Sequence, residues 1–158
     1  MVKREGGKPR WHALTLLSAV GLILGCASGV VGCALSSRTI NVARRANLAQ
    51  ATKLDITELV IQPQVHYEHR LSVSDPSVLR RLAVALDTNL PLGPLAECLA
   101  QYRLSFTLAT GEVQVLDYYC EGGTSFLRGA QSFWSRQQVQ PPAEFDAVVS
   151  NLLRRPPG

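Results

Sequence analysis

The chain of 158 residues has room for one ordinary domain plus an appendage, and its 46% hydrophobic content is enough to build a core. Its net charge of +4 is unevenly distributed: residues 1–53 hold eight basic residues and one acidic residue, whereas residues 54–158 hold eight arginines and eleven acidic residues. A nucleic-acid-binding domain carries positive charge on the folded surface that faces phosphate. Because the basic charge here lies in the N-terminal third, we exclude nucleic-acid binding.

A long uncharged segment follows the basic N-terminus, residues 1–10. No charged residue lies between Arg10 and Arg38. As a helix, residues 11–35 would measure about 37 Å, against roughly 30 Å of bilayer hydrocarbon. A helix in a soluble core would interrupt such a run with polar residues on one face. We therefore predict a transmembrane helix at 11–35, a signal anchor whose partner is the lipid bilayer and whose N-terminus is cytoplasmic.

Two other fates of this segment stay open. The small residues Ala34 and Ser36 fit the end of a cleaved secretory signal. The stretches ILGC, ending at Cys26, and VVGC, ending at Cys33, resemble the lipobox of bacterial lipoproteins, in which the cysteine becomes the lipid-modified first residue. The apolar continuation ASGVVGCAL after Cys26 favours an uncleaved span, because a lipidated cysteine is usually followed by a polar tether.

Three glycines mark one side of the predicted span. Gly21, Gly25 and Gly29 are four residues apart and so fall on one helix face. Small residues at this spacing let two helix backbones approach closely in lipid, which predicts a homodimer through this face. The alternative is that these glycines have no such role, since glycine is common in membrane spans.

The remaining sequence predicts a stalk and one folded domain. Residues 36–53 are polar and alanine-rich without Gly or Pro, which favours a stalk or linker. Residues 54–155 predict a small α+β domain of order β-β-α-β-β-(β)-α, an antiparallel sheet with two helices packed on one face, and 156–158 form a tail. The strands are expected at Ile56–Gln62, Gln64–Ser74, Tyr102–Ala109, Glu112–Cys120 and Thr124–Arg128, and the helices at Pro76–Thr88 and after Pro142.

A hairpin and a cysteine pair indicate the compartment. The dipeptide TG at 110–111 predicts a two-residue turn, in which the numbers of opposing residues sum to 221. Tyr102 then faces Tyr119, and Cys120 lies at the hairpin base near Cys98. A disulfide between the two cysteines would stabilise the domain by roughly 3 kcal/mol. Because stable disulfides form in oxidising compartments, we predict an extracytoplasmic domain. The alternative is two reduced, buried cysteines.

A metal site is a weaker hypothesis. His66 and His69 could join Cys98 and Cys120 as zinc ligands, but the four residues lack the paired spacing of zinc sites. On a strand, moreover, the two histidines face opposite sides. We therefore predict no bound metal.

Catalytic motifs are missing from the sequence. It contains no G-x-S-x-G, no H-E-x-x-H, no phosphate loop and no dinucleotide fingerprint, so we assign no catalytic residue and no cofactor. The predicted register puts Asp117 across from Leu104, where it would be either an acid in a cleft or a solvent-exposed strand end. A small zinc- or carboxylate-dependent hydrolase therefore stays an alternative.

A mixture of aromatic residues and arginines surrounds the last strand. Tyr118, Arg128, Trp134 and Arg136 have the composition of binding hot spots, which predicts a contact with a protein or small-molecule partner. Together these features predict a bacterial single-pass membrane protein whose extracytoplasmic domain binds a partner or ligand as an accessory or sensory module. The alternatives are a lipoprotein anchored at Cys26 or Cys33 and a purely structural component of the envelope.

Overall fold

The computed structural model describes residues 38–95, 99–121, 123–129 and 137–154, with only the backbone of Cys120 and Glu121. A 3-10 turn at Leu48–Gln50 joins the first helix to the second strand. In chain order the elements are β1 (Thr39–Asn41), α1 (Val42–Arg45), β2 (Ala51–Val60), β3 (His66–Val73), α2 (Pro76–Ala85), β4 (Asn89–Pro91), β5 (Gly93–Pro94), β6 (Tyr102–Leu108), β7 (Val113–Glu121), β8 (Thr124–Gly129), β9 (Gln137–Gln138) and α3 (Ala143–Leu153).

The central sheet is antiparallel throughout. Within the described ranges it has five strands in the order β3-β2-β6-β7-β8. The hairpin β2–β3 joins the meander β6–β7–β8 through the pairing of β2 with β6. Two short strand pairs, β1–β4 and β5–β9, lie beside it. The chain therefore folds as a small antiparallel sheet domain with three helices in its described part, which confirms the α+β class.

The two longer helices bury one face of this sheet, called here the covered face. Their apolar stripes pack against alternate residues of the strands, as the helical and strand periodicities predict. Burying each large apolar side chain stabilises the fold by about 1.5–3 kcal/mol. The cluster includes Leu54, Ile56, Leu104, Phe106 and Leu116 from the sheet, Leu79, Leu82 and Ala83 from α2, and Phe145, Val148, Val149 and Leu152 from α3.

Local signals set the helix ends. The Asp75 carboxylate accepts a hydrogen bond of 2.8 Å from the Ser77 N–H, and Pro76 occupies the first turn. This is the N-terminal cap that the sequence predicts. The helix ends at Ala85, three residues before the predicted end at Thr88.

The segment assigned to a stalk lies in the domain wherever the structure describes it, from residue 38 onward. Val42 and Ala46 are fully buried in the hydrophobic core, and Leu48 is 2% exposed. The Asn41 side chain caps α1 by accepting a hydrogen bond from the Arg44 N–H. Strand β2 then begins at Ala51 rather than at residue 56. The segment looks like a linker because polar residues interrupt its apolar ones and no long periodic stripe forms, yet it completes the core.

The register of the β6–β7 hairpin differs by one residue from the prediction. The Gly111 N–H bonds the Leu108 carbonyl, and the Leu108 N–H bonds the Glu112 carbonyl, each at 2.8 Å. The loop therefore has three residues and ends at Gly111, whose φ of 85° is left-handed, the common three-residue hairpin form. As a result Tyr102 faces Tyr118, not Tyr119.

The predicted span lies outside the described residues, together with the dimer glycines Gly21, Gly25 and Gly29 and the lipidation candidates Cys26 and Cys33. In the part of the chain that is described, no helix combines the length and the hydropathy needed to cross a membrane. The span, the dimer face and the lipidation sites stay predictions.

Candidate functional site

A row of polar side chains crosses the whole sheet on the face opposite the helices, called here the polar face. His69 pairs with Thr57, Thr57 with Arg103, Arg103 with Asp117, and Asp117 with Arg128. Directly opposed residues on neighbouring strands project to the same side of a sheet. These five residues, the polar row, therefore lie side by side across β3, β2, β6, β7 and β8.

A buried carboxylate forms the centre of the polar row. Asp117 is only 5% exposed. Its Oδ1 accepts a hydrogen bond of 3.1 Å from Arg103 Nε, and its Oδ2 accepts one of 3.2 Å from Arg128 Nε. Each bond is charge-assisted and stronger than a neutral one. Asp117 is thus not the solvent-exposed strand end that was one of the two predicted options; it is a buried carboxylate paired with two arginines.

A tyrosine ring lies against the flat face of each guanidinium group. The Arg103 guanidinium carbon lies 4.2 Å from the centre of the Tyr67 ring, and that of Arg128 lies 5.5 Å from the centre of the Tyr119 ring. Burial raises the pKa of Tyr67, and the nearby Asp117 charge raises this pKa further. Each guanidinium is therefore fixed by a carboxylate at one edge and an aromatic ring on one face.

The polar row also contains a buried hydroxyl without a partner. Thr57 lies between His69 and Arg103, and its Oγ1 has no hydrogen-bond partner within the described ranges. A buried polar atom without a partner costs about 1–3 kcal/mol. Such an atom requires an explanation, and one explanation is an exchangeable molecule that supplies the missing bond.

A serine, a histidine and an aspartate lie close together beside the row, but not as a catalytic triad. The Ser72 hydroxyl bonds the Asp55 carboxylate and lies 3.5 Å from His69 Nε2. Burial alone would raise the pKa of Asp55, but the Ser72 bond and the Lys53 ammonium hold it below its ordinary value. In a triad the carboxylate orients the histidine, whereas here it holds the serine. The geometry therefore gives the hydrolase hypothesis no support from these residues.

The structure describes two of the four residues that were predicted to contact a partner. Arg128 lies in the polar row. Tyr118 is 2% exposed, and its hydroxyl lies 3.1 Å from both Asp146 Oδ1 and Ser125 Oγ. Its ring belongs to the core, so the prediction of a surface contact at Tyr118 is wrong. Every second residue of β7 faces the helices, and Tyr118 is one of these. Trp134 and Arg136 lie outside the described residues.

The disulfide and the metal site are the two remaining hypotheses from the sequence. Cys98 lies outside the described ranges, and the backbone of Cys120 pairs with Ser125 in β7, so the disulfide stays a prediction. The Gln64 carbonyl and the Glu68 carboxylate both raise the pKa of His66. Over the described residues, no three metal-binding side chains cluster together.

A cavity lies beside α1 and α2, away from the polar row. It has a volume of about 560 Å³ and is lined by both polar and apolar residues. An ion pair of 2.9 Å between Arg44 and Asp87 belongs to its rim. Its lining has no buried polar atom that lacks a partner within the described ranges. Its residues are Ala43, Arg44, Asn47, Leu48, Ala49, Ala51, Pro76, Leu79, Arg80, Ala83, Val84 and Asp87.

No family model, no curated protein and no solved structure matches this chain. The functional assignment therefore depends on the geometry of the polar row. Both arginines of the row are charged side chains whose position a buried acid fixes, and the adjacent hydroxyl lacks a bond. This combination favours recognition of a polar group over catalysis.

Sequence analysis missed Arg103 and Thr57, although the sequence contains a signal for the row. A three-residue loop ending at Gly111 would have placed Arg103 opposite Asp117, a cross-strand pair of opposite charge. A two-residue turn at 122–123 places Arg128 opposite the same acid, as observed. Each of these two turns places an arginine opposite Asp117, and the two together predict the charged cluster more strongly than either turn alone.

Proposed function

We propose that this chain is a bacterial single-pass membrane protein with its domain outside the cytoplasm. Residues 11–35 form the anchor, and the domain binds a partner or ligand through the polar face as an accessory or sensory module. The uncharged run between Arg10 and Arg38 supports the anchor. The pair of cysteines at 98 and 120 supports an oxidising compartment.

The stalk predicted at residues 36–53 is not part of this proposal. Strand β1 begins at Thr39, and Val42, Ala46 and Leu48 belong to the hydrophobic core, so the segment belongs to the folded domain from residue 38 onward. We therefore drop the stalk and keep the other elements of the predicted layout.

The observation that carries the binding function is the buried Asp117 between Arg103 and Arg128. A buried ion pair contributes little net stability compared with apolar residues of the same size. Stability alone therefore gives no reason to place a buried carboxylate between two arginines on neighbouring strands. Fixed charges do give orientation and specificity to an encounter with a polar partner.

The placement is tested by the chemical state of the chain in its native membrane. Intact mass spectrometry of the membrane fraction should give the full-length chain. A truncated, acylated chain beginning at Cys26 or Cys33 would contradict the anchor and support the lipoprotein. Peptide mapping with and without reductant should show Cys98 joined to Cys120, whereas free thiols on a protease-protected domain would place the domain in the cytoplasm.

The use of the polar face is tested by photo-crosslinking in intact cells. Lys53 is exposed on the polar face, where β2 pairs with β6. Val84 is 64% exposed on α2 and lines the cavity beside α1 and α2. A photoreactive amino acid at position 53 should form adducts, and one at position 84 should not. Adducts at position 84 alone would move the binding function to the helical side.

A further inference from the structure

The centre of the polar row carries more positive than negative charge. One carboxylate, Asp117, faces two guanidinium groups, which leaves a net formal charge of +1. The side chains of Arg103 and Arg128 are 38% and 24% exposed, so they border both the buried acid and solvent. A cationic centre that reaches solvent attracts an anion.

The two arginines retain unused donors. Each donates its Nε–H to the Asp117 carboxylate. Within the described ranges their terminal Nη groups make no hydrogen bond to the domain. The planar fork of terminal N–H groups matches the oxygen spacing of a carboxylate or a phosphate.

The two guanidinium groups are already held in place before any ligand arrives. Asp117 holds one edge of each guanidinium, and the rings of Tyr67 and Tyr119 lie against their flat faces. Side chains held in this way lose little conformational freedom on binding, which removes one of the main costs of association.

The unpartnered hydroxyl is an independent observation on the same row. Thr57 lies directly opposite Arg103, and its buried Oγ1 lacks a partner among the described residues. A hydroxyl can donate to an oxygen atom that already accepts from the neighbouring guanidinium. Because Thr57 Oγ1 is buried, an oxyanion beside Arg103 reaches it only after the side chains that cover it shift. The oxyanion then satisfies both the excess positive charge and the missing hydrogen bond.

We propose that the polar row binds an oxyanion, the carboxylate or phosphate group of a ligand. The forks of Arg103 and Arg128 donate to its oxygens, and the Thr57 hydroxyl donates one further bond. Asp117 does not touch the ligand; it is a positioning residue that fixes both arginines. This inference rests on the proposed function, since it names the class of ligand for the same polar face.

The test measures anion binding by the full-length chain in nanodiscs of uncharged phosphatidylcholine. Isothermal titration with sodium phosphate and, separately, sodium succinate distinguishes a phosphate from a carboxylate source, at a constant ionic strength set with chloride. We expect saturable binding of at least one of the two probes. No saturable binding of either probe would overturn the proposal.

Three variants locate the site. Thr57→Val keeps the shape of the side chain and removes the hydroxyl, and should weaken binding about tenfold. Arg103→Gln should weaken it by at least about tenfold, and Arg103→Lys should not restore it, because a lysine has no planar fork. Arg80→Gln, an equal loss of charge on the exposed side of α2, should leave binding unchanged. Melting curves confirm that each variant is folded.

The outcomes separate this inference from the function on which it rests. Equal weakening by Arg80→Gln would show general charge attraction and overturn the inference. Unchanged binding in both Thr57→Val and Arg103→Gln would overturn it as well. If neither probe binds but the disulfide and the full-length mass are found, only the inference fails. If the probes bind but the domain proves cytoplasmic, the proposed placement fails and the oxyanion site stands.

Discussion

The two faces of the central sheet are stabilised in different ways. The covered face buries apolar residues such as Leu104 and Leu116 beneath the helices. The polar face carries, on the adjacent positions of the same strands, Arg103 and Asp117. Apolar packing has no direction and depends on volume, whereas the polar row depends on exact opposition of single residues. Sequence periodicity alone predicts the first, whereas prediction of the second also requires the correct register.

The largest expected effect lies on the covered face. Phe145 is fully buried, and its ring centre lies 6.3 Å from that of Tyr118. Phe145→Ala removes a large apolar side chain from a packed core and should lower the free energy of unfolding by about 3–5 kcal/mol. Urea denaturation followed by circular dichroism measures it. Val84→Ala, on the exposed side of α2, is the control and should change little; a comparable loss there would contradict the assignment of the covered face.

The second effect tests the centre of the polar face. Asp117→Asn leaves two arginines without their carboxylate and should lower the free energy of unfolding by about 2 kcal/mol, below the range for fully buried pairs, because both arginines reach solvent. A double-mutant cycle with Arg103→Gln should show coupling between the two sites. Asp87→Asn removes an exposed partner of Arg44 and serves as the matched control. Additive effects of Asp117→Asn and Arg103→Gln would contradict the ion pair.

The covered face is the part of the fold that sequence alone predicts well. The stripes Leu79, Leu82 and Ala83 in α2 and Phe145 and Val149 in α3 are all buried as expected. Helical and strand periodicity report only whether a side chain is apolar, and that is all this face requires. The same patterns hid the start of the domain, because the buried residues between 42 and 48 alternate with polar residues and form no long periodic stripe.

The polar face was not predictable to the same degree, since it depends on a loop one residue longer than expected. With the two-residue turn, Asp117 lies opposite Leu104; with the three-residue loop it lies opposite Arg103. A shift of one residue moves a side chain to the other face. The sequence contains the glycine that the longer loop requires, but a TG pair is compatible with either loop. The position of the buried Thr57 hydroxyl depends on which strands pair in the tertiary structure, and no local sequence pattern predicts it.

A third prediction perturbs the loop that sets this register. Gly111 has a φ of 85°, and a Cβ built there would meet no atom within 4 Å. Gly111→Ala therefore introduces backbone strain without a clash and should lower the free energy of unfolding by about 1 kcal/mol. Gly111→Asn should cost less, because asparagine adopts left-handed backbone more readily. Chemical denaturation of both variants checks the order, and an alanine variant as stable as the original chain would refute a left-handed residue here.

The smallest expected effect is a pH dependence of stability that differs between two acids, Asp146 on α3 and Asp55 on the polar face. Burial raises the pKa of Asp146, against the hydrogen bonds from Tyr118 and Ser125, whereas the bonds from Ser72 and Lys53 lower that of Asp55. A raised pKa means that the folded state binds the proton more tightly, so the contribution of Asp146 to stability falls as the pH rises from the ordinary value of 3.8 through the folded value. The contribution of Asp55 is present above 3.8 and is lost as the pH falls through its lower folded value.

Difference curves isolate these two contributions from the other acids. The free energy of unfolding of the original chain minus that of Asp146→Asn should decrease with rising pH just above 3.8. The same difference for Asp55→Asn should increase with rising pH just below 3.8. Slopes of the same sign would show that the two acids share one environment. Opposite slopes would follow from the structure itself. Burial withdraws Asp146 from water and no cation among the described residues offsets it, whereas Asp55 accepts bonds from Ser72 and Lys53.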